Sequence, residues 1–233
     1  MIRNVEGGRH PMDVPTSNVL TRVLLTRSGS KQFTSFTLSL DGRVYIISTE
    51  HGVNINEGLQ FCLGDEAEWV QVNAQFLLSS PKEIYDFIVY VLLQDDEFLQ
   101  FPIMDQGYCL GQSAFFAGYP DVPDIPRMHN PDNQMPVPVL RKGVIAAWGG
   151  GRIVLDARNL YGFSGSPVVV KPPKSEYWHV IGIVTHFLTS RETVGVTQPH
   201  SEFEMFVNSG FTLCTDISKV VEAIRKGTSI GSD

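Results

Sequence analysis

The segment that most restricts the fold is a glycine-rich turn, GFSGSP, which begins at Gly162 and runs into Val168–Val170. Gly162 and Gly165 can adopt backbone conformations that other residues disfavour, so the chain can reverse tightly around Ser164. Pro167 opposes a helix after the turn, and the three β-branched valines favour an extended strand. The sequence therefore predicts that Ser164 is displayed on a tight turn at the start of a strand.

Two interpretations of this turn are open from the segment alone. Gly, Ser and Pro are the ordinary residues of loops, so the motif could be only a connection. Alternatively, the turn aims main-chain N–H groups at one point beside the Ser164 hydroxyl, as an oxyanion hole requires. No helix-forming run follows Ser164, so the motif differs from the Gly-x-Ser-x-Gly elbow of α/β hydrolases. The presence of a base and an acid elsewhere in the chain would favour the oxyanion-hole interpretation over a simple loop.

The composition is that of a globular chain rich in β-structure. Of 233 residues, 42% are hydrophobic and 18% charged, which excludes a disordered chain, while 21 glycines and 14 prolines suit many strands joined by turns. The strand pattern weakens between Gln94 and Gly111, which divides one functional domain, residues 1–233, into two halves. A polar stretch, Thr189–Glu202, is predicted to be a loop. Residues 216–227 have an acidic cap, helical spacing of apolar residues and a terminating glycine, and are predicted to form a C-terminal helix.

Charge and hydropathy exclude several classes of partner. A net charge of −7 opposes a general affinity for nucleic acid or for an anionic membrane surface. The first residues lack the apolar core of a signal peptide, and no apolar run approaches the length of a membrane span, so a cytoplasmic location is expected unless a leader was removed ahead of residue 1. Cys62, Cys109 and Cys214 are far apart and have no histidine at ligand spacing beside them, so disulfides, metals and other cofactors are not expected.

Two further residues stand at the edges of predicted strands. The apolar strand Arg43–Thr49 ends just before His51, which places this imidazole in a short loop at the mouth of a sheet. Asp86 lies near the start of the almost wholly apolar strand Ile84–Leu93, and an ionised carboxylate beside so much apolar surface needs a partner. A second interpretation is that Asp86 only caps a turn, as aspartate often does.

The three residues His51, Asp86 and Ser164 have the chemistry of a nucleophile, its base and an orienting acid. A serine hydroxyl is a poor nucleophile until a base removes its proton, and an imidazole can do this near neutral pH. A buried carboxylate holds the imidazole in one tautomer and stabilises its cation. Their order in the chain, His, Asp, Ser, is that of the chymotrypsin type of triad.

Five motifs give the chain a resemblance to the trypsin-like (chymotrypsin-fold) serine peptidases of the intracellular type, over residues 33–224. They are the strand, turn and histidine segment Phe36–His51, the strand Asp86–Leu92, the Gly-Tyr-Pro segment Phe116–Pro120, the nucleophile turn Gly162–Pro167 and the strand Ile181–Ile183. The resemblance implies an all-β fold of two six-stranded antiparallel β-barrels with a C-terminal α-helix. Residues 14–100 would form the barrel with His51 and Asp86, and residues 112–215 the barrel with Ser164. It also implies that the N–H groups of Gly162 and Ser164 form the oxyanion hole.

The sequence departs from the family pattern at several positions. Glu50 precedes the histidine where the family commonly has a small residue. Phe163 stands where secreted members have an aspartate that pairs with a freed N-terminus, so activation by N-terminal clipping is not implied.

Four residues are expected to contact substrate, with the basic Arg158 favouring an acidic side chain and Phe187 narrowing the specificity pocket. These four residues are Arg158, Thr185, His186 and Phe187.

The function that follows is hydrolysis of peptide bonds by a serine endopeptidase, acting on a protein or peptide substrate through an acyl-enzyme. One alternative keeps the fold and drops catalysis, giving an inactive trypsin-fold binding or regulatory module, and Glu50, Phe163 and Phe187 motivate it. Another is a non-peptidase acyl hydrolase. An unrestrained cytoplasmic peptidase would harm its host, so either the segment Asp121–Pro138 gates the cleft or a regulatory partner protein controls it.

Overall fold

The computed structural model describes residues 15, 17–63, 68–93, 100–120, 128–129, 136–195 and 202–227. Most of the predicted gating segment, residues 121–127 and 130–135, lies outside these ranges. The elements are α1 Ser17–Leu20, β1 Val23–Ser28, β2 Lys31–Leu40, β3 Arg43–Ser48, a 3₁₀ turn Glu50–Gly52, β4 Leu59–Leu63, β5 Glu68–Gln71, β6 Ala74–Ser80, β7 Phe87–Leu92, β8 Ser113–Gly118, β9 Met128–His129, β10 Pro136–Val137, β11 Val139–Gly149, β12 Arg152–Asp156, β13 Pro167–Val170, β14 His179–Gly195, β15 Glu202–Asp216 and α2 Ile217–Lys226.

The N-terminal half is a seven-stranded antiparallel sheet with the strand order β5-β4-β1-β2-β3-β7-β6. Local sequence sets its hairpins: Asp41 and Gly42 both have positive φ, 51° and 76°, as the tight Asp-Gly turn between β2 and β3 requires. The turn pairs Leu40 with Arg43 and so fixes the register of both strands. The register matters because β3 ends beside the site.

The C-terminal half is a closed six-stranded barrel with the strand order β11-β12-β15-β14-β13-β8. The expectation of two six-stranded barrels is therefore confirmed for this half. The N-terminal half has seven strands in the described ranges, and its closure into a barrel stays a prediction. The predicted loop Thr189–Glu202 is wrong in part, because β14 continues to Gly195, β15 begins at Glu202, and the two strands pair as far as these ends.

Buried apolar side chains form three groups, and one of them joins the two halves. This group takes in β1 to β3 and β7 from the first half, β8 and β13 to β14 from the second, and the buried face of α2. A second group fills the closed barrel, and a third lies on the other face of the N-terminal sheet. Burial of shared apolar surface is the main force that holds the halves in one arrangement.

The C-terminal helix is confirmed, and its ends are those that the sequence predicts. The Asp216 side chain accepts a hydrogen bond from the Ser218 N–H at 2.8 Å, and Gly227 closes the helix in the left-handed conformation at φ 63°. Ile217, Val220 and Val221 are buried against the core. Neither helix in the described part of the chain has the length and apolar character needed to cross a bilayer.

Candidate active site

His51 lies in the 3₁₀ turn that directly follows β3, and it contacts Asp86 through two hydrogen bonds. Its Nδ1 lies 2.7 Å from Asp86 Oδ2, and its backbone N–H donates to Asp86 Oδ1 at 3.2 Å. The imidazole is 35% exposed, whereas the carboxylate is fully buried. Because the acid engages both the main chain and the ring of His51, it fixes the position of the residue and the orientation of its imidazole.

Asp86 occupies the last position of a tight loop, just before β7. Its φ is 55°, a left-handed conformation that aspartate tolerates better than most residues, and its N–H donates to the Pro81 carbonyl oxygen at 3.0 Å. The expected partner of this buried carboxylate is thus His51. The alternative role as a mere turn residue does not account for the two hydrogen bonds that the side chain accepts.

Two residues of the C-terminal barrel hold the loop that carries Asp86, and the sequence predicts neither contact. Arg152 Nη2 donates to the carbonyl oxygen of Ile84, and Thr215 Oγ1 donates to that of Tyr85. The Arg152 guanidinium also lies over the Tyr85 ring, 5.5 Å from its centroid. No local pattern signals these contacts, since the residues lie 68 and 130 positions apart.

The serine turn has the predicted conformation. Gly162 and Gly165 have φ of 90° and 87°, and between them Phe163 is completely buried and Ser164 half-buried. The Phe163 ring packs edge-on against Phe116 at 5.2 Å, inside the closed barrel. An apolar anchor in the barrel core therefore holds the turn and leaves the neighbouring serine at the surface.

The N-terminal sheet also fixes the serine turn. Thr34 Oγ1 donates to the Gly162 carbonyl oxygen at 2.9 Å and accepts from the Tyr119 N–H at 3.0 Å. A methyl group on Gly165 would lie 2.0 Å from the Thr34 carbonyl oxygen, so only glycine allows this approach. Thr34 therefore joins the serine turn to β2.

The Ser164 hydroxyl donates to the carbonyl oxygen of Thr185 at 3.2 Å, instead of to His51, in the described part of the chain. The Thr185 hydroxyl is itself engaged with the Leu213 carbonyl oxygen at 3.0 Å. Hydrogen bonds between a nucleophile and its base are often long before substrate binds, so this arrangement is compatible with a resting site.

The sequence predicts that His186 contacts substrate, and in the structure its imidazole lies beside the Asp86 carboxylate. The β14 register shifts between Val184 and His186, and such bulges re-aim side chains near functional sites. His186 Nε2 lies 3.8 Å from Asp86 Oδ2, and its ring centroid lies 5.5 Å from that of His51. Burial lowers the pKa of the His186 imidazole below its usual value, while the Asp86 carboxylate acts in the opposite direction.

Phe187 and Arg158, also predicted to contact substrate, lie on β14 and in the segment between β12 and the serine turn. Phe187 packs edge-on against Tyr161 at 5.3 Å, and the Tyr161 side chain is 75% exposed. This aromatic pair connects the residue before the serine turn to β14, and narrowing of a substrate pocket by Phe187 stays a prediction. Arg158 is exposed, between the buried residues Ala157 and Asn159, and its contribution to substrate choice stays a prediction.

Comparison with known structures identifies the fold. A point variant of the HtrA-type protease AlgW with tripeptide matches 91% of this chain at 13% identity and a TM-score of 0.55. The fold is that of the trypsin-like serine proteases. A serine endoprotease from Yersinia pestis matches 92% of this chain at 17% identity and a TM-score of 0.58. The chain spans 63% of the first protein and 67% of the second, and no family model or curated protein matches its sequence.

Proposed function

We propose that this chain is a serine endopeptidase in which Ser164 is the nucleophile, His51 the base and Asp86 the positioning acid. The observation that supports it most is the 2.7 Å contact between His51 Nδ1 and the buried Asp86 carboxylate, in a trypsin-like fold. A carboxylate that accepts the Nδ1 proton leaves Nε2 unprotonated, which is the tautomer that a base needs.

The reaction proceeds in two acyl-transfer steps. Nε2 of His51 takes the proton of Ser164 Oγ as that oxygen attacks the scissile carbonyl, and the same nitrogen then protonates the leaving amine. Water enters, gives its proton to His51 and attacks the acyl-serine, and the returning proton restores the hydroxyl. The backbone N–H groups of Gly162 and Ser164 stabilise the oxyanion in both steps.

Substrate is a protein or peptide segment that lies beside β14. The Ser164 hydroxyl must leave the Thr185 carbonyl oxygen and turn toward His51 when a peptide occupies this site. The Phe187–Tyr161 pair limits the width of the neighbouring pocket, so small or narrow side chains are the expected occupants. If Arg158 reaches the bound peptide, it adds a preference for acidic side chains.

A second candidate function, an inactive binding or regulatory module of the same fold, is favoured by one observation. The Ser164 hydroxyl donates to Thr185 instead of to His51. If this hydrogen bond persists with substrate, the serine stays unactivated and the cleft acts only as a binding surface.

The same proposal includes a cytoplasmic location. It also includes control by a regulatory partner protein, since an unrestrained peptidase would damage its surroundings. Gating by the segment Asp121–Pro138 is the other form of restraint. Deletion of that segment would change the rate or selectivity of cleavage if it gates the cleft, and would leave both unchanged if it does not.

Labelling with a fluorophosphonate probe tests the nucleophile directly, with mass spectrometry to locate the adduct. Wild type is compared with Ser164→Ala, His51→Ala and a matched control, Ser166→Ala. Ser166 lies in the same turn, and its buried hydroxyl has no hydrogen-bond partner in the described part of the chain, so its removal should leave labelling intact.

An adduct on Ser164 that depends on His51 and survives in Ser166→Ala supports the peptidase, and cleavage of a peptide library then defines the substrate. Labelling of Ser164 together with hydrolysis of small esters and none of peptides would instead indicate the acyl hydrolase. A folded wild type without an adduct, even after addition of candidate partners, would overturn the enzymatic proposal and favour the binding module.

A further inference from the structure

Three potential metal ligands meet at the candidate active site, although the proposed mechanism uses only two of them. Ligand atoms of His51, Asp86 and His186 all lie within 4.8 Å of one another. His186 Nε2 lies 3.8 Å from the same carboxylate oxygen that contacts His51 Nδ1 at 2.7 Å. The Asp86 carboxylate therefore lies beside two imidazoles, whereas orienting His51 as the base requires a contact with His51 alone.

The donor set is that of a zinc site. Two imidazoles and one carboxylate, with a fourth position open to solvent, make up a familiar tetrahedral zinc site. Bonds of about 2.0–2.1 Å place neighbouring ligand atoms about 3.3 Å apart. The separations of 2.7 and 3.8 Å from Asp86 Oδ2 lie on either side of this value, and the two imidazole ligand atoms lie within 4.8 Å of each other, so movements of up to about 1.5 Å would adjust all three separations.

The exposure of the two histidine side chains allows their rings to move and an ion to enter. The His51 and His186 side chains are 35% and 40% exposed, while the Asp86 carboxylate between them is fully buried. A buried acid held by its loop provides a fixed ligand, and the two half-exposed rings can rotate toward it. Calcium and magnesium prefer oxygen ligands, so the two imidazoles select zinc or a similar transition metal.

We propose that His51, Asp86 and His186 together bind one zinc ion, which holds the site inactive until the ion is removed. Zinc bound to His51 Nδ1 and to Asp86 takes the place of the proton between them, and the neutral imidazole then carries its proton on Nε2, so the base loses both its orienting hydrogen bond and its free nitrogen. The imidazole bound to zinc cannot then accept the serine proton as a correctly oriented base. The inference rests on the proposed function for its effect on activity, but not for the binding of zinc itself.

The spacing of the cysteines predicts no metal site, whereas these three residues form one without any cysteine. It offers a form of restraint that needs neither a gating segment nor a partner protein. The signal was absent from the local sequence, since His51 and Asp86 lie 35 residues apart and His186 belongs to the other half of the chain.

Zinc titration of the full chain carrying Ser164→Ala tests binding without any activity, by calorimetry or by competition with a chelating dye. One equivalent is expected to bind, and adding His186→Asn or His51→Ala should weaken the affinity by more than about tenfold, since loss of even an outer partner of a ligand costs about 10- to 100-fold. His179→Asn is the matched control, because His179 is also on β14 and bonds only to Ser175 in the described ranges.

Fluorophosphonate labelling of the wild type then tests the consequence. Zinc should suppress labelling of Ser164 and a chelator should restore it, whereas His186→Asn, normalised to its own zinc-free rate, should lose most of this sensitivity. Failure of the Ser164→Ala chain to bind zinc, or binding that His186→Asn and His51→Ala do not weaken, would overturn the site. If zinc binds as expected but the zinc-free wild type does not label, the metal site stands and the proposed peptidase fails.

Discussion

The two halves of the molecule contribute to the site in different ways. The N-terminal sheet supplies His51 and Asp86 from short loops at strand ends, and a hydrogen-bonded pair of side chains sets their geometry. The closed barrel supplies Ser164 from a turn whose geometry depends on two glycine conformations and on the buried ring of Phe163. One half thus positions its groups by polar side-chain contacts, and the other by backbone shape and core packing.

Each functional segment is also held by the opposite half. Arg152 and Thr215 of the barrel bind the carbonyl groups of the loop that carries Asp86. Thr34 of the sheet binds the Gly162 carbonyl group of the serine turn. The site is therefore a property of the interface, and relative movement of the halves would disturb both segments at once.

The largest effect is expected from Asp86→Asn, which changes the polar arrangement of the first half alone. Asparagine also tolerates the left-handed conformation of position 86, so the loop should keep its backbone. The amide would favour the His51 tautomer with its proton on Nε2, and the rate of fluorophosphonate labelling should fall by about 10⁴-fold.

Asp156→Asn is the control for this change, since Asp156 is an exposed carboxylate on β12 in the other half. It should leave labelling near the wild-type rate. A loss of less than about tenfold in Asp86→Asn would mean that the acid is not needed to orient the base.

The next largest effect is expected from Gly165→Ala, which tests the backbone shape of the second half. The new methyl group would lie 2.0 Å from the Thr34 carbonyl oxygen at a φ of 87°. Clash and strain together should lower the free energy of unfolding by about 3 kcal/mol or more, as measured by chemical denaturation.

Gly210→Ala separates the clash from the strain. Gly210 has a φ of 86°, but a methyl group there would have no heavy atom within 4 Å. Its cost should be about 1 kcal/mol, the strain of the conformation alone. Equal losses in the two variants would show that the close approach of Gly165 to β2 does not constrain the turn.

The sequence predicted the parts of this arrangement that depend on local chemistry. The Asp-Gly hairpin, the turn around Ser164 and both ends of the C-terminal helix follow from conformational preferences of single residues. The histidine and the aspartate could be found because each interrupts or ends an apolar strand.

The remaining features depend on contacts between distant residues. Pairing with β15 stabilises the extension of β14 to Gly195. The polar residues of this segment give no local signal of that pairing. Similarly, the proximity of His186 to Asp86 results from a bulge and from the packing of two halves. Local propensity is a weak guide where tertiary pairing satisfies the backbone.

A smaller effect, confined to the serine turn, is expected from Phe163→Leu. The ring is buried against Phe116, so each of Phe163→Leu and Phe116→Leu should lower the free energy of unfolding by about 1–3 kcal/mol. Only Phe163 belongs to the turn, and a shift of Ser164 by about 1 Å would slow labelling by about 10- to 100-fold. Equal labelling rates in the two variants would reduce Phe163 to a core residue without influence on the nucleophile.

The smallest effect is expected from Arg152→Ala, which removes a contact across the interface and leaves both segments intact. Loss of the donor to the Ile84 carbonyl oxygen should cost about 1–2 kcal/mol of stability, and the loosened Asp86 loop should slow labelling by about three- to tenfold. Arg225→Ala is the matched control, because its ion pair with Asp41 is 3.7 Å long and exposed, and its loss should change stability by less than about 0.5 kcal/mol. If Arg152→Ala loses stability while its labelling rate is unchanged, the barrel contributes to the fold of the acid loop but not to the orientation of the base. If both fall together, the two halves depend on each other for function as well as for stability.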